Sequence, residues 1–498
     1  MDSYAIIPQP RSITYEDGSF QCSGLPLIAT ADSSLFRDEA GVFYRQIRRS
    51  FGAVKGPECI YLKKNDSISG KESYMLEIHR NEIRINAPTG TGIFRGLQVL
   101  RQLLLSNYDG GRISIPCGTI NDMPRFPWRG FMLDSARNFF SVDFIKKLLD
   151  ALCLQHINVF HWHLTDDQGW RLPVKKYPLL TEIGGKRWDN RMNKYSGGFY
   201  TEDEIRDIVS YAAARHIDVA PEVDLPGHAS AILAAYPGLG CTGGPYRVED
   251  RFGIFEDVLC AGNDGIFNLA ESVFDTLAEL FPSEYVHIGG DEVRFNRWKV
   301  CPKCRKRLLD LGLSEPQQIQ SWITSRLAGM LRQRGKTAIG WDEILENTDK
   351  FPLSDEVIVM SWRNQDGGSR ASAMGRRVIM TPKNSGCYLD YRHIESPDEI
   401  GMPPIGSVVM GYAMEPVTPE MDEKAASFVL GGQGNLWTEN VQAGKIAEYL
   451  TFPRICGIAE TLWTAKENKN LDDFTKRLEV HQLRLDKLNL LQYRGSPG

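Results

Sequence analysis

Eight short apolar segments, each followed by a helical pattern, run through most of the chain after residue 127. They lie at residues 131–134, 157–162, 217–220, 285–288, 337–341, 357–362, 378–381 and 428–432. Repeated strand-then-helix units favour a parallel sheet with helices packed against it. Eight such units in about 370 residues predict an α/β fold, a (β/α)8 TIM barrel with long loops.

The chain before this barrel is predicted to be a small α+β domain, residues 1–123. Residues 74–78 and 82–86 alternate in the manner of strands, and residues 92–105 carry apolar side chains at the spacing of an amphipathic helix. The proline-containing segment 122–127 marks the boundary, so residues 124–498 form the barrel domain. A chain of 498 residues is too long for one ordinary core, which agrees with two domains.

Composition restricts the partners of this chain. A net charge of −5 without blocks of like charge argues against a nucleic acid or an anionic membrane as partner. No run of about 18 apolar residues is present to span a membrane. The first four residues lack the basic and apolar regions of a signal peptide. We expect a secreted or periplasmic protein whose signal peptide is not part of this chain, with a cytoplasmic location as the alternative.

The ten cysteines are fewer than a disulfide scaffold of this length would carry. Cys301-Pro302-Lys303-Cys304 is a single CxxC motif without a second pair at zinc-ribbon spacing, so the sequence favours free or locally bridged thiols over zinc. Cys241 and Cys260 flank a loop, and a disulfide between them would indicate an oxidising compartment. From the sequence we expect neither a metal site nor a cofactor.

The segment His-Ile-Gly-Gly-Asp-Glu at 287–292 places two adjacent carboxylates, Asp291 and Glu292, directly after the fourth predicted strand. Ligands of parallel α/β folds bind at the carboxyl ends of the strands. Enzymes that hydrolyse glycosidic bonds usually carry two carboxylates at such a site. The alternative interpretation is an acidic N-terminal cap for the next helix.

Polar or aromatic side chains follow the other predicted strands as well. They are Asp134, Arg137, His161, His163, Asp166, Asp167, Glu222, Asp224, His228, Trp341, Asp342, Glu343, Trp362, Tyr388, Asp390, Trp437 and Glu439. Carboxylates and arginine hydrogen-bond hydroxyl groups, and indoles stack on the apolar face of a sugar ring. The strand ends therefore predict a site for an uncharged polyhydroxyl ligand.

Ordered motifs run through the whole predicted barrel. They are LDSAR at 133–137, HWHLTDDQGW at 161–170, EVDLPGH at 222–228, HIGGDE at 287–292, GWDE at 340–343, SW at 361–362, YLD at 388–390 and GNLWTE at 434–439. Together they resemble glycoside hydrolase family 20, the β-N-acetylhexosaminidases, and residues 1–123 look like the small domain that precedes the barrel there. The resemblance implies exo-acting, retaining hydrolysis of terminal N-acetyl-β-D-glucosamine or N-acetyl-β-D-galactosamine residues of an oligosaccharide or glycoconjugate.

The adjacency of Asp291 and Glu292 restricts the mechanism. A protein nucleophile and an acid lie about 5–5.5 Å apart on opposite sides of the bond, whereas consecutive residues leaving a strand point in different directions. The resemblance implies instead that the carbonyl oxygen of the substrate's 2-acetamido group attacks the anomeric carbon. An oxazolinium intermediate forms, and water opens it with retention; family 20 is an exception of this kind.

The resemblance also implies a role for each matching residue. Glu292 is expected to be the general acid and then the base, Asp291 to accept from the acetamido N–H, and Tyr388 to donate to the acetamido oxygen. The residues expected to bind the sugar are Arg137, Asp166, His228, Trp341, Trp362, Asp390, Trp437 and Glu439. Asp224, His287 and His163 are expected to support the acid and its neighbours from behind, although a buried polar residue is normally paired in any case.

Two other classes of function fit part of the pattern. His161 and His163 share one face of a strand and could hold a divalent ion in a metal-dependent hydrolase. This class is disfavoured because no further histidine follows the fifth, sixth or eighth strand to complete a ligand set. A carbohydrate-binding pseudoenzyme is expected to lose its acid, and Glu292 is present. The aglycone preference is expected to depend on loops such as 185–200 and 238–264.

Overall fold

The structure is a computed structural model that describes residues 4–29, 35–52, 56–189 and 193–496. The signal-peptide prediction rests on the first four residues, of which 1–3 lie outside the described part. Residues 190–192, within one of the loops expected to contact the aglycone, also lie outside it. The described chain comprises an N-terminal part built on a mixed sheet and a larger part built on a closed barrel.

The N-terminal part is a mixed sheet against which a long helix packs. Its strands are β1 (Ser12–Ser23), β2 (Leu27–Ile28), β3 (Glu58–Lys64), β4 (Tyr74–Ile78), β5 (Ile83–Ala87), β6 (Tyr108–Asp109) and β7 (Arg112–Asp122), and its helices are α1 (Arg37–Phe51) and α2 (Gly90–Asn107). The strand order is β1-β7-β4-β5-β3-β2, with β6 on β7. The amphipathic helix predicted at 92–105 lies within α2, whose apolar side chains are buried against the sheet.

The strands of the larger part are β8 (Trp128–Asp134), β9 (Val159–His163), β10 (Thr165–Asp166), β11 (Gly169–Trp170), β12 (Lys186–Asp189), β13 (Lys194–Gly197), β14 (Asp218–Glu222), β15 (Tyr285–His287), β16 (Thr337–Trp341), β17 (Ile358–Ser361), β18 (Val378–Met380), β19 (Tyr391–Arg392), β20 (Met402–Ile405) and β21 (Val429–Leu436). Eight of them close into a barrel in the order β14-β15-β16-β17-β18-β21-β8-β9. Every pairing in this ring is parallel. The predicted (β/α)8 fold is confirmed, because each of the eight predicted segments overlaps one strand of the ring.

Helices follow these strands and surround the ring. They are α3 (Val142–Leu152), α4 (Leu179–Glu182), α5 (Glu202–Ala213), α6 (Ser230–Ala235), α7 (Gly265–Leu280), α8 (Asn296–Val300), α9 (Pro302–Asp310), α10 (Gln317–Arg332), α11 (Asp366–Ala373), α12 (Val408–Ala413), α13 (Glu423–Ala426), α14 (Gly444–Thr451), α15 (Arg454–Trp463) and α16 (Leu471–Lys487). Thr201 and Glu204 form a capping box that starts α5 by satisfying its free backbone N–H groups. Among the described helices, none combines the length and the apolar character that crossing a membrane requires.

The two ends of the barrel differ in chemistry. Trp128 and Tyr285 begin β8 and β15, and their rings meet edge to face with centroids 5.3 Å apart. Apolar side chains fill the interior above them. Glu222, His287 and Trp341 are the last residues of their strands, so polar groups collect at the carboxyl-end mouth. The lower end is a packed core, which leaves the upper end for a binding site.

The C-terminal helix α16 joins the barrel to the N-terminal part. Arg484 Nη1 donates to the carbonyl of Ala5 at 2.7 Å and to Oε1 of Gln102 at 3.0 Å. Arg477 Nη1 donates to the carbonyl of Ile6 at 2.7 Å. Because these arginines are buried and their donors are used, α16 is tied to the N-terminal part by satisfied hydrogen bonds.

The cysteines, all of which lie in the described part of the chain, form no disulfide. All ten are free thiols, and all but Cys241 are buried. The bridge considered between Cys241 and Cys260 is therefore not formed. The Cys260 sulfur instead faces the sulfurs of Cys301 and Cys304, at 3.8 and 3.6 Å.

Candidate active site

A cavity of about 260 Å³ opens at the carboxyl-end mouth of the barrel. Its lining residues are Arg137, Asp291, Glu292, Trp341, Trp362, Lys383, Tyr388, Asp390, Tyr391, Met402, Pro403, Trp437 and Glu439. Drug-sized ligands occupy cavities of roughly 300–1,000 Å³, so this one has the size for about one sugar ring. Asp166 and His228, expected to bind the sugar, lie behind this wall. Asp224, His163 and His287, which the sequence predicts to be supporting residues, are buried there too.

The two adjacent carboxylates leave β15 through a glycine turn. Gly289 and Gly290 have φ angles of 66° and 93°, in the left-handed region that favours glycine. A Cβ on Gly289 would lie 1.7 Å from Oδ1 of Asp224, so a larger residue does not fit. Glu292 has φ 51°, which is uncommon for a residue with a side chain and is concentrated at functional sites. The turn leaves the Asp291 side chain 12% exposed and the Glu292 side chain 30% exposed.

Asp224 and Asp291 form a buried pair of carboxyl groups. Oδ1 of Asp224 accepts the backbone N–H of Gly290 at 3.0 Å, and an oxygen of Asp224 lies within 4.8 Å of an oxygen of Asp291. Burial and the neighbouring Asp224 raise the pKa of Asp291 well above its usual range. Burial also raises the pKa of Asp224 to about 6, against the opposing charge of His228. Two such groups hold a proton between them that neither would hold alone.

His228 lies between two sets of carboxylates. Its Nδ1 is 3.2 Å from Oδ1 of Asp166 and 3.1 Å from Oδ2 of Asp167. Its Nε2 is 3.5 Å from Oε2 of Glu292 and 3.6 Å from Oδ2 of Asp291. Burial disfavours the charged ring, but Asp166 and the other carboxylates raise the pKa of His228 well above its usual range. A cationic imidazole therefore faces both adjacent carboxylates from behind the cavity wall.

Arg137 is held in one orientation by acceptors on three sides. Its Nη2 lies 2.7 Å from Oδ2 of Asp166, its Nη1 donates to Oδ2 of Asp134 at 3.3 Å, and its Nε donates to Oε1 of Gln168 at 3.1 Å. Burial opposes its charge, but Asp166 and the other nearby carboxylates raise the pKa of Arg137 well above its usual value. Because a guanidinium has fixed fork geometry, its remaining face presents donors to the cavity in a defined direction.

Three carboxylate oxygens at the cavity lack partners. Among the described residues, Oδ1 of Asp291, Oδ1 of Asp390 and Oε2 of Glu439 are buried without a hydrogen bond. Burial and then Glu439 raise the pKa of Asp390 well above its usual range. Buried acceptors of this kind are normally satisfied, so their presence at one cavity indicates a ligand that donates several hydrogen bonds. Hydroxyl and amide N–H groups of a sugar are such donors.

Aromatic rings form the rest of the wall. Trp341 and Trp437 have ring centroids 5.8 Å apart, and Trp362 stacks on Tyr388 at 6.3 Å with an interplanar angle of 15°. Burial raises the pKa of Tyr388 well above 10, so its hydroxyl stays a hydrogen-bond donor. A wall of indoles beside the Tyr388 phenol excludes water from an apolar group while offering a donor to a carbonyl oxygen.

Glu222 lies beneath the cavity and contacts three histidines and one tryptophan. Its Oε2 lies 3.0 Å from Nε2 of His161 and 2.5 Å from Nδ1 of His163. Its Oε1 lies 2.9 Å from Nδ1 of His287 and accepts Nε1–H of Trp341 at 2.9 Å. The two histidines of the HxH pair thus share a carboxylate partner in the core. Glu222 also supports Trp341 through the hydrogen bond that it accepts from the indole N–H.

Some cavity residues were not anticipated from the sequence. Lys383, Tyr391, Met402 and Pro403 come from the segment that follows β18 and from the β19–β20 pair. Glu222 and Glu343 were noted at strand ends without a role; Oε2 of Glu343 accepts Nε1–H of Trp362 at 2.9 Å. The only sequence signal was the long stretch between the seventh and eighth predicted strands, which is where a rim of the mouth would lie.

The carboxyl pair predicts a pH effect for Asp224→Asn. A group with a raised pKa loses its charged form as the pH falls through that pKa, and Asp291 must be ionised to accept a hydrogen bond. The amide of the variant removes the like charge and donates to Asp291, so the acid limb of the kcat/KM–pH profile should move to lower pH, by on the order of one unit. Asp218→Asn, at the opposite end of β14, is the matched control and should leave that limb in place. An upward shift in the Asp224→Asn variant would contradict the pairing.

Comparison with known proteins agrees with this geometry. The model of "Glycosyl hydrolase family 20, catalytic domain" matches residues 126–466, and that of "Glycosyl hydrolase family 20, domain 2" matches residues 3–123. A beta-hexosaminidase of Porphyromonas gingivalis is 39% identical over 503 residues, which cover 97% of this chain and 63% of the relative. The chain thus spans less than two thirds of that relative's length.

Two further relatives match over more of their own length. A beta-N-acetylhexosaminidase of Cellulomonas fimi is 31% identical over 525 residues, covering 100% of this chain and 97% of the relative. The crystal structure of a GH20 exo beta-N-acetylglucosaminidase from Vibrio harveyi in complex with N-acetylglucosamine superposes with a TM-score of 0.89 at 29% identity, covering 99% of this chain and 79% of that one. Since the catalytic-domain model alone covers more than half of the chain, this protein belongs to glycosyl hydrolase family 20.

Proposed function

We propose that this chain is an exo-acting, retaining β-N-acetylhexosaminidase that works through the substrate's own acetamido group. The observation that carries the proposal is the placement of Asp291, Glu292 and Tyr388 on one cavity walled by three tryptophans. Adjacent carboxylates at the end of β15 do not face each other across a glycosidic bond. They fit an arrangement in which one is the proton donor and the other orients a nucleophile carried by the substrate.

Glu292 moves the protons of the reaction. In the first step the acetamido carbonyl oxygen bonds to the anomeric carbon, the bond from that carbon to the leaving oxygen breaks, and Glu292 gives its proton to that oxygen. In the second step water bonds to the anomeric carbon, Glu292 takes the water proton, and the bond to the carbonyl oxygen breaks. The carbonyl oxygen attacks the anomeric carbon from the face opposite the leaving group, and water then attacks from the face opposite the carbonyl oxygen. Because each step inverts that carbon, the two steps together retain its configuration.

Asp291 and Tyr388 hold the acetamido group from its two ends. The unpartnered Oδ1 of Asp291 accepts the acetamido N–H and stabilises the positive charge that develops on the oxazolinium. The Tyr388 hydroxyl donates to the carbonyl oxygen and aims it at the anomeric carbon. Trp341, Trp362 and Trp437 enclose the methyl group, which keeps water away until the leaving group has departed.

The size of the cavity supports exo action. Arg137, Asp390 and Glu439 present hydrogen-bonding groups to the hydroxyls of the non-reducing sugar, and a cavity of about 260 Å³ has room for about one sugar ring. Fixing those hydroxyls holds the anomeric carbon in place for attack. The Vibrio harveyi relative is complexed with N-acetylglucosamine. We propose terminal N-acetyl-β-D-glucosamine or N-acetyl-β-D-galactosamine residues of an oligosaccharide or glycoconjugate as substrates.

A substrate panel tests this function. Aryl N-acetyl-β-D-glucosaminide and -galactosaminide should be hydrolysed with the β-anomer as first product, read by proton NMR. The matching aryl β-D-glucoside lacks the internal nucleophile, whose effective molarity is on the order of 10⁵ M or more, and should be inert. A thiazoline analogue of the intermediate should inhibit competitively. Efficient cleavage of the glucoside, or an α-anomer as first product, would overturn the proposal.

The proposed compartment is the periplasm or the outside of the cell. This proposal rests on the sequence expectation alone. Fractionation of the native host, with hexosaminidase activity measured in medium, periplasm and cytoplasm, tests it directly. Activity confined to the cytoplasm would contradict it.

A further inference from the structure

Four cysteines that are distant in sequence meet at one point beside the barrel. The sulfurs of Cys241, Cys260, Cys301 and Cys304 all lie within 4.8 Å of one another. Three of the separations are 3.7 Å (Cys241–Cys304), 3.8 Å (Cys260–Cys301) and 3.6 Å (Cys260–Cys304). A disulfide requires about 2.05 Å, so these sulfurs are grouped without being bonded.

The separations match the edges of a tetrahedron around one metal ion. With zinc–sulfur bonds of about 2.3 Å, a regular tetrahedron has sulfur–sulfur edges of about 3.8 Å. Four thiolates at that spacing select zinc, a soft-ligand tetrahedral ion. We propose that Cys241, Cys260, Cys301 and Cys304 bind a structural zinc ion. Cys260, Cys301 and Cys304 are buried and Cys241 is partly exposed, so the site is closed on most sides.

The local backbone is shaped for such a site. Cys301 is the N-cap residue of α9, Pro302 starts the helix, and Cys304 is buried in its first turn with its sulfur 3.6 Å from that of Cys260. On the other side, Gly240 bridges Leu259 in antiparallel fashion, so Cys241 and Cys260, one residue beyond the bridge on each strand, lie on the same face of it.

Gly262 brings the two sides into contact. A Cβ at this position would lie 2.2 Å from the carbonyl carbon of Lys303, so only glycine allows this approach. This close approach holds the segment that carries Cys260 against the segment that carries Cys304.

The site would secure the loop of residues 242–259, which returns over the barrel mouth. Within this loop the backbone N–H of Glu249 donates to the carbonyl of Asp167 at 3.0 Å, and the carbonyl of Arg251 accepts from Nε2 of Gln168 at 2.8 Å. Asp167 contacts His228 and Gln168 contacts Arg137, so the loop supports residues behind the cavity wall. The ion therefore has a positioning role and touches no reacting atom. This inference does not depend on the proposed reaction.

Metal content of the purified full chain tests the site. The protein is prepared without a metal-affinity step and measured by inductively coupled plasma mass spectrometry, with Cys241→Ser and Cys304→Ser as variants. Cys117→Ser, a buried cysteine of the N-terminal sheet, is the matched control. We expect about one zinc per chain in the parent and in Cys117→Ser. We expect close to none in Cys304→Ser and a reduced content in Cys241→Ser.

Thiol state provides a readout that survives misfolding of a variant. Titration of the folded parent with an organomercurial should release one zinc ion, and a metal-binding dye detects that release. In a separate sample that has not met the mercurial, alkylation under non-reducing, denaturing conditions should modify all ten cysteines. A parent chain without zinc, with iron in its place, or with disulfides among these four cysteines would overturn the proposal. Zinc content that is unchanged in both serine variants would overturn it equally.

Discussion

The Glu292→Gln variant is expected to bind N-acetylglucosamine nearly as tightly as the parent but to turn over an aryl N-acetyl-β-D-glucosaminide about 10²–10⁴-fold more slowly. The amide has the size of the acid but neither gives nor takes the proton. We therefore expect kcat to fall, with KM and inhibition by the product little changed. Steady-state kinetics and inhibition by N-acetylglucosamine measure the two quantities.

Substrates with different leaving groups distinguish the loss of the general acid from damage to the cavity. A dinitrophenyl aglycone needs little protonation as it departs, so the first chemical step of Glu292→Gln should recover much of its rate with that substrate. Glu346→Gln is the matched control, because that carboxylate is 47% exposed and pairs with Arg363 at the surface. A variant with near-normal rate on both aglycones would remove Glu292 from its role.

The Arg137→Ala variant is expected to lose both sugar binding and stability. Arg137 is the cation beside Asp134 and Asp166, at 3.3 and 2.7 Å, and its guanidinium lies over the ring of Trp437 at 4.9 Å. Removing it leaves buried carboxylates unpaired, and breaking a buried ion pair in this way destabilises a protein by about 3–5 kcal/mol. Misplacement of the sugar should lower kcat/KM by about 10²-fold or more. Urea unfolding and steady-state kinetics measure the two effects.

Arg137→Lys distinguishes the charge from the geometry. Lysine keeps the positive charge but not the planar fork, so stability should recover more fully than kcat/KM. Arg206→Ala is the matched control, since that side chain is 46% exposed and its partner Glu279 is 57% exposed. Unchanged kinetics in Arg137→Ala would exclude the residue from the sugar site, and unchanged stability would contradict the buried network.

The barrel was predictable because its strands are short, apolar and locally bounded. Trp341 and His287 mark strand ends that apolar periodicity alone locates within one or two residues. Parallel strands point their carboxyl ends the same way, so the residues after each strand were expected to gather. The small β19 and β20 strands were not predicted, because their residues carry no alternation; β20 is exposed throughout.

Roles behind the cavity wall were harder to assign from sequence. Asp166 and His228 belong to motifs at strand ends. A position at a strand end does not reveal whether the side chain lines the cavity or contacts another residue behind the cavity wall. The structure places both behind the wall, in contact with Arg137 and Glu292. Nothing in the sequence distinguishes Glu222 from the other acids at strand ends. Its four contacts depend on β9, β14, β15 and β16 lying side by side.

The amino-acid sequence by itself determined the barrel, its eight strands and the set of acids, indoles and single arginine at their ends. Local apolar spacing and turn chemistry decide these features, and both can be read along the chain. Only the tertiary structure decided which of those groups share protons or charge, and which four cysteines meet. Asp224 and Asp291, or Cys241 and Cys304, approach because the barrel closes and its loops pack. Distances between segments so far apart in sequence follow from that closure and from no local pattern.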